Sequence, residues 1–211
     1  MNHDNTVETI DITPTLRVRI EQDTDAESPE GWCNLGQIAY CSSRETLGTE
    51  NVSRDRLDEI SAGIREGSLI GLPVYAFVHS GSTIATTPFN CPWDSGQSGF
   101  VYCTREKAIK EFGKKVLTAN AREDTLRRLR GEVEAFDQYL RGDVYGVIVQ
   151  RVKRDEDGDE VDTEELDSCW GFYGLDYARE EAKQMGKHQA KLDVKEAAEA
   201  RHWAERDVVT S

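Results

Sequence analysis

The chain of 211 residues has no run of 18 apolar residues, which excludes a membrane-spanning helix. Its first ten residues place Asp4 and Glu8 where a secretory leader needs basic and then apolar side chains, so the expectation is a protein that stays in the cytoplasm. Cysteine is sparse: Cys33, Cys41, Cys91, Cys103 and Cys169 form no CxxC, and no two cysteines or histidines have zinc-knuckle spacing, so reduced thiols and no metal are expected. A Walker loop, GxGxxG, HExxH and GxSxG are all missing, which takes most of the weight from the common enzyme classes and leaves no cofactor to expect. Basic residues are outnumbered, 26 against 40 acids, and a net charge of -14 argues against a protein that wraps nucleic acid through a global positive field.

The acid surplus is uneven. Residues 155–174 carry nine acids and no base, and residues 1–66 carry 14 acids and 6 bases. Residues 67–104 hold one acid, Asp94, and no base, whereas 105–130 hold nine bases and four acids. A chain with two acidic segments, one basic segment and a long uncharged stretch has regions suited to different partners.

Periodicity supplies the elements. Leu16, Val18 and Ile20 alternate with charged residues, the pattern of a half-buried strand, and an acidic loop follows to Gly31. A short strand is expected near Gln37–Cys41, and a helix over 54–66 with Ser53 as N-cap and Gly67 as stop. Leu69 to Phe89 reads as a central hairpin turning at His79–Ser82, Pro88 to Ser98 as a loop, and Gly99 to Thr104 as another strand. Arg105 to Phe112 is a short helix. The spacing of Leu126, Leu129, Val133, Phe136 and Leu140 predicts a longer one from about Ala119, with Thr118 before it and Gly142 after. Strands over 144–152 and 166–173 should flank an acidic hairpin loop at 155–165, and an alanine-rich helix, single or broken near Gly186, should end the chain. With no repeat and no Ser/Gly linker, the expectation is a single α+β domain over residues 1–174, built on an antiparallel-dominated sheet with packed helices. Residues 175–211 would form a helical C-terminal extension.

Four constellations invite chemistry. The run from Asp155 suggests calcium, but an EF-hand loop starting there needs glycine and glutamate where Glu160 and Leu166 stand. Asp94 lies in uncharged surroundings beside Trp93, with His79 and Gln97 as neighbours in sequence pattern. That makes His79, Trp93, Asp94 and Gln97 an alternative ligand or catalytic site, although Asp before Ser-Gly is also ordinary turn chemistry. Cys91, Cys103 and Cys169 read as buried thiols rather than nucleophiles served by His79. Lys114, Lys115, Arg127, Arg128 and Arg130 could follow a phosphate backbone, but helical spacing brings Arg127 and Arg130 near Glu123, Asp124 and Glu134.

Several blocks carry a resemblance: Gly31-Trp32-Cys33-Asn34-Leu35-Gly36, Pro88 to Gly99 with its PWDSGQ core, Glu134 to Gly146 and Asp167 to Gly174. With these the chain, from about Leu16 to Ala182, resembles a family of uncharacterised proteins met in bacteriophages and on plasmids. The resemblance implies a mobile-element origin and a bias toward neutralising host defence. With the charge, this gives the expected function: a non-enzymatic inhibitor that fills the basic nucleic-acid channel of a host nuclease or CRISPR complex as a DNA mimic. The expected contact residues are Asp155, Glu156, Asp157, Asp159, Glu160, Asp162, Glu164, Glu165 and Asp167, joined by Glu21, Asp23, Asp25 and Glu27. Direct nucleic-acid or membrane binding is not expected. A third reading, acidity as adaptation to a saline cytoplasm, predicts an even surplus instead.

Overall fold

Alternating apolar strands and capped amphipathic helices account for most of the elements. The computed structural model describes residues 5–79, 81–91 and 95–209, with side chains described as far as Trp203. In chain order the elements are β1 (Thr6–Thr13), β2 (Leu16–Gln22), a 3-10 turn (Pro29–Gly31), β3 (Gln37–Tyr40), β4 (Glu50–Asn51), α1 (Arg54–Glu66), β5 (Leu69–Val78) and β6 (Ser82–Ala85). They continue with β7 (Ser95–Thr104), α2 (Arg105–Glu111), α3 (Ala119–Leu140), β8 (Val144–Arg154), β9 (Glu160–Tyr173) and α4 (Leu175–Val209). The class is α+β and the pairing is mostly antiparallel, as expected, but two sheets stand where one was anticipated. Each sheet belongs to its own compact unit, Met1–Ala26 with Gly142–Ser211 in one and Glu27–Arg141 in the other.

The unit formed by the two chain ends has the sheet order β1-β2-β8-β9. Leu16, Val18 and Ile20 of β2 and Val147 and Val149 of β8 are buried together with Ala178 and Ala182 of α4. The helix crosses so close that a Cβ on Gly186 would lie 2.6 Å from Ile12 and 2.9 Å from Val18. Gly186 therefore serves approach to the sheet and does not break α4, which runs on as one helix. For the same reason residue 174 is not a boundary between compact units: α4 shares a core with the sheet it follows.

In the central unit the order is β4-β3-β7-β5-β6. Ile38, Val74, Ile84 and Val101 pack with Leu129, Val133 and Phe136 of α3, while Ala39 and Tyr102 pack with Ile60 of α1. Helices cover both faces, which explains why residues 67–104 dispense with charge. Pro73 sits where β5 has β7 on one side only, because β6 first pairs at Tyr75, so its missing N–H leaves no gap in a two-sided ladder. Gly99 has no alternative: a Cβ there would stand 1.9 Å from the Ala39 carbonyl oxygen.

Candidate functional site: the acidic hairpin

The hairpin loop is shorter than composition suggested. Only residues 155–159 turn, and Glu160–Glu165 belong to β9, where Val161 and Thr163 supply strand-favouring side chains. Asp155 builds the turn itself. Its Oδ1 accepts from the N–H groups of Asp157 (3.1 Å) and Asp159 (2.8 Å), and Gly158 takes the left-handed conformation at φ 89°. Arg154 steadies the tip by donating Nη1 to the Gly158 carbonyl at 3.1 Å.

β9 lies at the sheet edge and pairs with β8 alone among the described residues. It takes 14 residues against 11 in β8, with register shifts between Tyr145 and Val147, between Val149 and Gln150 and between Lys153 and Arg154. Leu166 packs on the helix-side core while Glu165 and Asp167 on either side, alternating with it along the strand, remain exposed. All nine candidate acids from Asp155 to Asp167 are exposed.

Among the described residues, two of the nine take part in ion pairs: Glu160 with Arg17 at 2.8 Å and Asp162 with Lys153 at 2.9 Å. Hydrogen bonding to Lys153 holds the Asp162 carboxyl below the usual carboxylate range, and Asp162 in return raises the Lys153 ammonium. Arg151 turns to Asp193 of α4 at 2.9 Å. Glu156, Asp157, Asp159, Glu164, Glu165 and Asp167 present their carboxylates to solvent.

The second acidic segment is elsewhere. Glu21 pairs with Arg19 at 2.5 Å, and Asp23 Oδ1 accepts from Asp25 N at 3.1 Å. Leu16 of β2 faces Arg151 near the hairpin tip, while Gln22 faces Tyr145 at the far end of β8. Glu21–Asp25 and the tip, which lies beyond Arg154, are therefore at opposite ends of the sheet, roughly 30 Å apart at about 3.3 Å per residue. Glu27 begins the other unit.

Of the alternative site, Trp93 and Asp94 lie outside the described residues. His79 follows the end of β5, with its ring 6.4 Å from that of Phe77, and Gln97 is exposed on β7 opposite Tyr75. A cleft of about 470 Å³ does open at this hairpin, but the described residues lining it are Phe77, Gly81, Ser82, Thr83, Leu140 and Arg141. The chain matches no known family model, no curated protein and no solved structure.

Several cations of the basic segment answer the protein's own acids or carbonyls. Arg127 pairs with Asp124 at 2.8 Å, Arg128 with Glu111 at 2.6 Å, and Lys107 donates to the Asn34 carbonyl at 2.9 Å. Cys103 is buried as expected, but Cys169 is exposed on β9, because the edge strand has no layer to cover it there. No helix among the described residues is long and apolar enough to cross a membrane, and no three of their His, Cys, Asp and Glu side chains converge as a metal site would require.

Two carboxylates escaped the sequence reading. Glu132 accepts from the N–H groups of Leu35 (2.6 Å) and Gly36 (2.8 Å). Asp137 accepts from Thr83 Oγ1 (2.5 Å), Ile84 N (2.8 Å) and Arg141 Nε (2.9 Å). Both flank the apolar stripe of α3, and an acid at the margin of such a stripe is the signal that marks them.

Proposed function

We propose that the protein is a cytoplasmic inhibitor from a mobile element that acts against a host defence nucleoprotein or nuclease, of the anti-CRISPR or anti-restriction type. It occupies the partner's positively charged nucleic-acid surface as a DNA mimic and does so by binding, without catalysis. The observation that carries this reading is the row of nine exposed carboxylates along one hairpin, Asp155 to Asp167. A strand rises about 3.3 Å per residue with successive side chains on opposite faces, so carboxylates on one face recur about every 6.6 Å, near the spacing of every second phosphate at roughly 3.4 Å each along one DNA strand. Glu160 to Asp167 thus spreads five carboxylates over roughly 23 Å, a length in which a DNA strand presents about seven phosphates. Glu21, Asp23 and Asp25, at the other end of the sheet, add to the long-range field that steers association rather than to the same contact.

The test uses the full chain as bait in host lysate at about 50 mM and about 500 mM salt, beside a variant carrying Glu156→Gln, Asp157→Asn, Glu164→Gln, Glu165→Gln and Asp167→Asn. Capture of a nucleic-acid-binding protein at low salt, its release at high salt or by added DNA, and its loss in the variant are expected. His79→Ala should leave capture intact. Capture that the five changes do not weaken would refute the proposal.

A further inference from the structure

The Gly31–Gly36 block has no part in an acidic-hairpin function, yet it is braced from several sides. Within the loop, Asn34 donates Nδ2 to the Pro29 carbonyl at 2.7 Å and its N–H to the Trp32 carbonyl at 2.8 Å. From α3, Glu132 receives the Leu35 and Gly36 N–H groups, and Arg128 donates to the Cys33 carbonyl at 3.2 Å. Lys107 of α2 holds the Asn34 carbonyl. Gly36 lies so close to α3 that a Cβ would stand 2.4 Å from Leu129 and 2.9 Å from the Glu132 carboxylate. A loop fixed in this way keeps its outward side chains in position before any ligand arrives, which removes an ordering penalty from binding.

Trp32 is among those outward side chains, at 43% exposed. It lines a cleft of about 320 Å³ together with Glu30, Gln37, Thr49, Glu50 and Lys107. The size lies at the lower end of the roughly 300–1,000 Å³ of small-ligand sites, which suits a group of side-chain size better than a nucleotide. Two carboxylates outweigh one ammonium, and that ammonium is engaged with a carbonyl. An indole beside carboxylates is the chemistry that recognises an organic cation. A guanidinium satisfies both halves, since its plane stacks on an aromatic face and its N–H fork matches carboxylate oxygens.

We propose that this cleft binds the guanidinium of an arginine side chain, with Trp32 as the aromatic wall and Glu30 and Glu50 as acceptors. The site is independent of the acidic hairpin. Titration of the full chain by calorimetry with N-acetyl-arginine amide, N-acetyl-lysine amide and acetate tests it. Saturable one-to-one binding of the arginine probe is expected, tighter than the lysine probe, with no acetate binding. Trp32→Ala and Glu50→Gln should each weaken it at least tenfold, and Glu50→Gln, at an exposed strand position, should leave the thermal midpoint in place. Absence of saturable arginine binding, an affinity unchanged in Trp32→Ala, or preference for acetate would each overturn the assignment.

Discussion

β6 and β9 are both edge strands, one in each unit, and carboxylates treat the two edges in opposite ways. At β6, Asp137 of α3 accepts the Ile84 N–H and the Thr83 hydroxyl, so a side chain takes the place of the missing neighbour strand. At β9 the carboxylates stand in solvent, and register shifts disturb the ladder at three places. Both devices protect an edge from pairing with other chains. Only the first makes the carboxylate part of the fold, through charge-assisted bonds to groups that burial would otherwise leave unsatisfied. The second leaves the carboxylates free to meet a partner.

The largest effect should come from Asp137→Ala, which strands a backbone donor and a hydroxyl beside α3. It is expected to lower stability by about 2–3 kcal/mol in urea unfolding, with Asp137→Asn recovering part through its remaining acceptor oxygen. A loss below about 0.5 kcal/mol would place Asp137 with ordinary surface residues and erase the distinction between the two edges.

Local signals were legible in the sequence and distant ones were not. Ser53 Oγ accepts from Arg56 N at 3.2 Å and Gly67 takes φ 81°, so α1 ends where its two caps predict. Thr118 caps α3 in the same way, through Ala121 N at 3.2 Å. Periodicity does not mark β1, since Glu8 shares a side with Ile10 and Ile12, and it is pairing with β2 that makes it a strand. β7 begins at Ser95, in a stretch of Ser, Gly and Gln with little strand preference, because its partner β5 extends to meet it. The split into units joins the first 26 residues to the last 70, a relation no local window contains. Glu132 and Asp137 likewise reach partners 97 and 54 residues away, so the acids that matter to the fold resemble, in sequence, the acids that do not.

Cysteine sharpens the contrast with a second residue type. Burial raises the Cys103 thiol to about 11, while Cys169 on β9 is exposed. Because the buried thiolate is disfavoured, the folded pKa exceeds the unfolded one, near 9. The thiol's contribution is therefore whole below pH 9 and is lost as pH rises toward 11. The wild type should lose stability across that window more steeply than Cys103→Ala, as followed by urea midpoints. At pH 8, iodoacetamide should modify Cys169 in the native protein and Cys103 only after unfolding. Native labelling of Cys103 at the rate of Cys169 would show that the central sheet is no better covered than the acidic edge.

The smallest effect should come from Asp162→Asn. The change removes the charge from the Lys153 pair but keeps an amide oxygen that can accept from Thr163 N, now at 2.9 Å, and both charged partners are exposed, so water replaces what is lost. The depressed carboxyl of Asp162 stabilises the fold only above its unfolded pKa and loses that contribution as pH falls through the folded value, so any difference from wild type belongs to neutral pH and should vanish in acid. No resolvable change in the urea midpoint at pH 7 is expected, whereas in the captured complex the same substitution should raise the dissociation rate. If Asp162→Asn instead unfolded the protein as readily as Asp137→Ala, the acids of β9 would be structural groups, and their exposure could not be taken as availability for a cationic cleft.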